Sequence, residues 1–299
     1  MRRLLLFCAF IFALSANAQA PEQKYLDLFN QLDQISSYGD YSSLDSNAKK
    51  DIDNGIKVCQ TQLKKLLDSV TRSIFYYHKG RLELVKKNIP EAQKDLEMAM
   101  NLHASNYPAL ERLCVLSYHH LKGYTKRKSY IQKSIKEWEL RCYVDSTEAF
   151  NWYYLGMTFK LHEEFSQAQV QNNVQYCLSR AMKLDTNNGT YLFELSLYKP
   201  CLLKVQLLKK ALTKEEYWLY RSHILACLLE LKQYRDVIDF AELSLATYER
   251  FFPSHYFFMS QLMQFEADAF KGLNQMDAAQ NCLKRKRDYD NPKQGSDNP

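Results

Sequence analysis

Glycine and proline are scarce, at 8 and 7 residues in 299. Together they make up about 5% of the chain, where globular proteins carry about 12%. That shortage excludes collagen-like segments, low-complexity linkers and turn-rich all-β folds, each of which needs many unusual backbone angles. The nearest two glycines are Gly39 and Gly55, so no phosphate-cradling or dinucleotide-binding loop can be written. H-E-x-x-H, G-x-S-x-G and C-x-x-C patterns are also missing, which removes the usual sequence marks of zinc hydrolases, α/β-hydrolases and dithiol redox centres. A strong excess of one charge is lacking too, with 40 Lys and Arg against 34 Asp and Glu. Nucleic-acid binding would want a concentrated basic stripe. The two short basic runs, at 126–128 and 284–287, read instead as solvated helix surface and a helix C-terminus complementing its macrodipole.

What is present is apolar and aromatic. Hydrophobic side chains reach 46%, with 21 Tyr, 16 Phe and 3 Trp, enough for a sizeable core and against disorder. Residues 1–18 have the form of a secretory signal. Arg2 and Arg3 precede the apolar run Leu4–Leu14, and Ala16-Asn17-Ala18 supplies small residues for cleavage after Ala18. The run is shorter than the about 20 residues that span a bilayer, and no later segment is long and apolar enough. A periplasmic or secreted chain without an integral span is therefore expected, retention of the signal as an anchor being the alternative. Beyond Cys8 the cysteines are Cys59, Cys114, Cys142, Cys177, Cys201, Cys227 and Cys282. An odd number leaves at least one unpaired. Their apolar helical surroundings favour buried thiols, with one disulfide between neighbouring helices left open.

Apolar residues recur at helical spacing almost throughout. Tyr25, Leu28, Phe29, Leu32 and Ile35 form one face. Ile52, Ile56, Cys59, Leu63, Leu66 and Val70 read as the next. Segment 149–188 then gives Trp152, Leu155, Gly156 and Phe159, followed by Ala168 and Ala181. This resembles the tetratricopeptide repeat, a helix–turn–helix of about 34 residues. Small residues such as Gly156 let two helices approach, and Trp152, Leu155 and Phe159 fill the seam. Ala168 and Ala181 stand about six residues further apart than in the family, so the second helix is longer. Segment 73–106 places Tyr76, Gly80, Ala92, Leu96, Ala99 and Leu102 on the same pattern. A further unit begins at Tyr107, with Gly123-Tyr124 in its turn. Segment 189–216 reads as a truncated pair, while 218–251 and about 260–291 match fairly. The expected organisation is a signal at 1–18, an N-terminal helix pair at 19–72, a tetratricopeptide-like array at 73–291 and a disordered tail at 292–299. The fold class implied is an all-α, tetratricopeptide-like helix-pair solenoid.

The resemblance implies a groove lined by the first helix of each pair, and with it a protein or peptide partner. Carried onto the two best units, the groove residues are Tyr77, Arg81, Tyr153, Met157 and Lys160. Gly80, Ala92, Ala99, Trp152, Leu155, Gly156, Phe159, Ala168 and Ala181 are structural. No catalytic residue, metal site or cofactor is expected. His119 and His120 are adjacent, about 100° apart on a helix, and cannot readily share one ion. Glu163-Glu164 reads as a solvated turn, and Asn188-Gly189 as the end of a helix. The expected function is a non-enzymatic scaffold in the bacterial envelope, self-association being open. The alternative is a small-molecule or glycan binding module that uses aromatic faces for stacking.

Overall fold

Aspartate and asparagine side chains start several helices. Asp45 accepts the Ala48 N–H at 2.8 Å, and Asp68 the Thr71 N–H at 2.9 Å. Asn106 and Asn188 do the same for Ala109 and Tyr191; each satisfies an amide that has no partner inside the helix. Pro90 and Pro108 occupy first turns, where a missing N–H costs nothing. The computed structural model describes residues 25–37, 41–120, 125–162 and 166–291. The expected signal and tail, Gly123-Tyr124 and Glu163-Glu164 lie outside these.

Among the described residues the chain is all-α, with no strand. The helices are α1 (Leu26–Ser36), α2 (Ser46–Leu63), α3 (Ser69–Val85), α4 (Ile89–Leu102), α5 (Tyr107–His119), α6 (Lys126–Val144) and α7 (Ala149–Lys160). They continue as α8 (Gln167–Leu184), α9 (Gly189–Ser196), α10 (Cys201–Leu212), α11 (Trp218–Glu230), α12 (Tyr234–Phe251), α13 (Tyr256–Gly272) and α14 (Met276–Asp290). Packing divides the chain between Ala181 and Met182 into two compact units. In each, most consecutive helices pack against one another as helix pairs.

Two expectations are corrected. Leu63, Leu66 and Val70 do not share a helix: α2 ends at Leu63, Leu66 is fully exposed, and Val70 is buried in α3. Asp68 is the reason, because its cap starts a new helix two residues before Val70. Likewise Asn188-Gly189 opens α9 rather than closing a helix, since the Asn188 side chain points into the new helix.

Turns inside three pairs are closed alike. Lys87, Lys232 and Asn274 take positive φ of 62°, 56° and 59°. After each, an amide reaches back five residues: Asn88 to Glu83, Gln233 to Leu228 and Gln275 to Phe270, all at 2.9 Å. With the shorter bonds Lys87 to Leu84, Lys232 to Leu229 and Asn274 to Lys271, these are Schellman caps carrying Lys or Asn where glycine is usual.

The core of the N-terminal unit begins where α1 meets α3. Phe29 lies against Phe75, with ring centroids 4.9 Å apart, and stacks on the His78 imidazole at 5.3 Å and 13°. His78 is wholly buried, 3.6 Å from an Asp33 oxygen that also pairs with Arg81. Burial first, then the Arg81 charge, hold its pKa well below 6.5. Below pH 6.5 an unfolded chain gains a proton that the folded chain refuses, so this contribution is lost as pH falls. Its size is about 1.4 kcal/mol per pH unit. Asp33 acts in the opposite sense from pH 3.8 upward, because burial raises its carboxyl despite Arg81. His78→Phe should therefore flatten the stability slope between pH 6.5 and 5 by about that amount. An unchanged slope in thermal melts would clear His78 as its source.

In the C-terminal unit, Tyr220, Ile224, Leu225, Val237, Leu262 and Met263 form the centre of the core. Ala267, Ala279 and Cys282 join α13 to α14. The short α9 and α10 match the truncated pair expected at 189–216.

Candidate functional site

The groove expected along α3 and α7 is largely filled. Tyr77 is only 5% exposed and Met157 only 7%. Both are core, so neither offers a contact surface, and this corrects their assignment. Arg81 is engaged by α1, paired with Asp33 and lying 5.4 Å from the Tyr77 ring centre. Tyr153 is half-buried, edge-on to Tyr154 at 5.0 Å. Lys160, in the last turn of α7, is exposed. Of the five expected groove residues, Lys160 is exposed and Tyr153 and Arg81 are half-buried.

The seam residues fare better. Gly80, Ala92, Ala99, Leu155, Gly156, Phe159 and Ala181 are all buried, and Trp152 half-buried. Ala168 is the exception, because it is exposed. A side chain on Gly80 would meet Leu96 and the Ala92 carbonyl; one on Gly156 would meet Cys177, Leu178 and the Val174 carbonyl. Val174 therefore takes the place that Ala92 holds in α4, and the extra residues of this unit precede it. Ala168 falls in that extension, ahead of the crossing.

Beside this crossing lies a cavity of about 540 Å³, within the N-terminal unit. Its floor is one face of α7: Trp152, Leu155 and Phe159 recur at the three- and four-residue steps that align side chains along a helix. Cys142 and Tyr143 of α6 form one wall, and Tyr176 and Cys177 of α8 the other. Glu139, Ser146 and Asn173 add polar groups. The Trp152 indole N–H donates to the Ser146 carbonyl at 3.0 Å, which fixes the ring plane. Tyr176 meets that ring edge-on at 5.8 Å, and the Arg180 guanidinium lies 5.3 Å from its centre.

Burial pushes the Cys142 and Cys177 thiols up to about 12, helped at Cys177 by Cys142 itself. At neutral pH both are protonated, polarisable apolar surface rather than nucleophiles. Among the described residues, no group of three His, Cys, Asp or Glu is placed to hold a metal ion. The arrangement suits binding. Its volume is that of pockets which take compact apolar groups, about 300–1,000 Å³. Of the lining residues Tyr143 and Tyr176 are exposed, Tyr143 to 87%. Apolar surface gathered around a pocket marks an interaction site.

Sequence reasoning found Trp152, Leu155 and Phe159 but took them as filler. It missed Cys142, Tyr143, Tyr176 and Cys177. The available signal was size: small thiols on α6 and α8 face a tryptophan and leave space that leucines would have filled.

No family model matches the chain, and no curated protein matches it in sequence. Among solved structures, it is similar to the assembly chaperone of RpL4 (Acl4), at 10% identity and a TM-score of 0.49, over 84% of this chain and 98% of that one. A tetratricopeptide repeat protein from Parabacteroides merdae gives 11% identity and a TM-score of 0.45, over 87% and 99%. Yeast Tom70 gives 11% and 0.36, over 93% and 67%.

Proposed function

We propose that this chain is an exported, non-enzymatic interaction protein of the bacterial cell envelope, which takes an apolar side chain of a protein partner into the cavity between α6, α7 and α8. The observation that carries the reading is the pocket floored by Trp152 and Phe159 and flanked by the exposed rings of Tyr143 and Tyr176. Binding hot spots concentrate on aromatic anchors seated in such pockets. Export rests on the signal-like pattern of residues 1–18.

Full-length chain carrying a photo-reactive aromatic side chain at position 143, or at 153 for comparison, tests this in cells. Links from 143 to one protein in the envelope fraction are expected, with weaker links from 153. Tyr143→Ala should then weaken that complex about tenfold or more, with little loss of stability because the ring is solvent-facing. Links from 153 alone would move the partner to the opposite face of α7, and recovery from the cytosol would overturn export. The volume of the cavity favours a second reading, a small apolar or glycan ligand stacked on Trp152. Native mass spectrometry separates the two: a retained non-protein mass that disappears in Trp152→Ala supports the ligand.

A further inference from the structure

In the C-terminal unit, α10 ends one helix pair and α11 begins the next; these two neighbours run antiparallel, joined through residues 213–217. Cys201 is the first residue of α10 and Cys227 lies in the last turn of α11. These positions bring the two sulfurs together at the open end of the two helices, away from the turn. Their Sγ atoms are 2.9 Å apart, within about 1 Å of the bonded distance of 2.05 Å. Cys227 is buried, whereas Cys201 is the one described cysteine that is part-exposed. One sulfur can thus meet a reagent from solvent while the other waits behind it. Glu230 Oε2, one turn beyond Cys227, accepts from the Cys201 thiol at 3.2 Å and helps to hold it in place.

We propose that Cys201 and Cys227 form a disulfide that staples α10 to α11 at their open end. The oxidant is a second disulfide, small or protein-borne, acting by thiol–disulfide exchange. Cys201 Sγ attacks one sulfur of that reagent, breaking its S–S bond, forming a mixed disulfide and releasing one thiol. Cys227 Sγ then attacks Cys201 Sγ, breaking the mixed bond and releasing the second thiol. The two protein thiol protons leave with the two released thiols: the protein pair is oxidised by two electrons and the reagent disulfide is reduced. The turn at one end and the bond at the other close the two helices into a ring, which restricts the unfolded chain.

The test uses full-length protein exposed to oxidised glutathione, alkylated without reduction and digested with trypsin. Cys201 and Cys227 fall in separate peptides, 184–204 and 222–232. A linked species of these two, two hydrogens lighter than their sum and lost on reduction, is expected. Oxidised protein should also melt several degrees above reduced protein, and Cys201→Ser should abolish the difference. Cys201 is only part-buried at the end of its helix and serine differs from it by one atom, so that variant disturbs the core little. Full alkylation of Cys201, a stable glutathione adduct on it, or its linkage to another cysteine would overturn the proposal. So would an oxidation-dependent rise in melting temperature that survives Cys201→Ser.

Discussion

Gly156→Leu is expected to destabilise the N-terminal unit by about 3 kcal/mol or more, lowering its melting midpoint on the order of 6–12 °C. α7 crosses α8 at Gly156, which puts no side chain of its own between them. A Cβ at 156 would already stand 3.1 Å from the Cys177 Cβ, 3.6 Å from the Val174 carbonyl oxygen and 3.7 Å from Leu178 Cγ. One added carbon is tolerable: Gly156→Ala asks Cys177 to yield by a few tenths of an ångström and regains about 0.8–1 kcal/mol of helix propensity. It should melt close to the parent. Leucine adds three further carbons where the nearest atoms include backbone, so α8 itself must retreat. Because Leu155 and Cys177 also wall the cavity, the same variant should lose partner binding. If Gly156→Leu melts like the parent, the crossing does not lie at Gly156.

Trp138→Ala should cost about 3–5 kcal/mol, the range for deleting a large, fully buried aromatic. Trp138 has no exposed surface. It stacks on Tyr154 at 5.3 Å and 22°, and meets Phe150 edge-on at 5.7 Å and 90°. Arg141 covers it at 5.5 Å, and Tyr154 in turn touches Tyr107 at 5.3 Å. One side chain of α6 therefore organises the aromatic contacts that bind α5, α6 and α7. Alanine would leave a cavity among rigid rings that cannot collapse to fill it, so the transfer loss and the void term add. Trp138→Phe keeps a ring and should cost clearly less. Denaturant titration followed by circular dichroism measures both. Equal midpoints for the phenylalanine and alanine variants would show that a ring at 138 recovers nothing of what the indole supplies, and would overturn its role as organiser of the aromatic contacts.

Much of this fold was legible. Helical spacing, the near absence of glycine, and the run Trp152, Leu155, Gly156, Phe159 led to paired helices, and Gly80 and Gly156 do stand at close crossings. The misreadings have local causes. Leu63, Leu66 and Val70 keep perfect helical periodicity, yet a single capping aspartate outweighs it. Ala168 fitted a pattern of small residues, but Val174 holds the equivalent place, because insertion length is visible in sequence and insertion position is not. Tyr77 and Met157 suit a binding surface by type and are buried by neighbouring helices. The cavity was illegible because it depends on what three helices leave empty between them. The meeting of Cys201 and Cys227 is a distance across two neighbouring helices, which spacing along the chain does not encode.

Lysine and asparagine at the three left-handed turn positions have a historical consequence. Each costs on the order of 1 kcal/mol against glycine for its backbone angle, and that cost is spread over three separate hairpins. No one of these residues is decisive, because the hydrogen bonds reaching back from Asn88, Gln233 and Gln275 keep the bend whatever side chain sits there. Such positions are free to drift. A lineage can shed the glycines by which its repeats would be recognised while the path of its backbone is inherited unchanged.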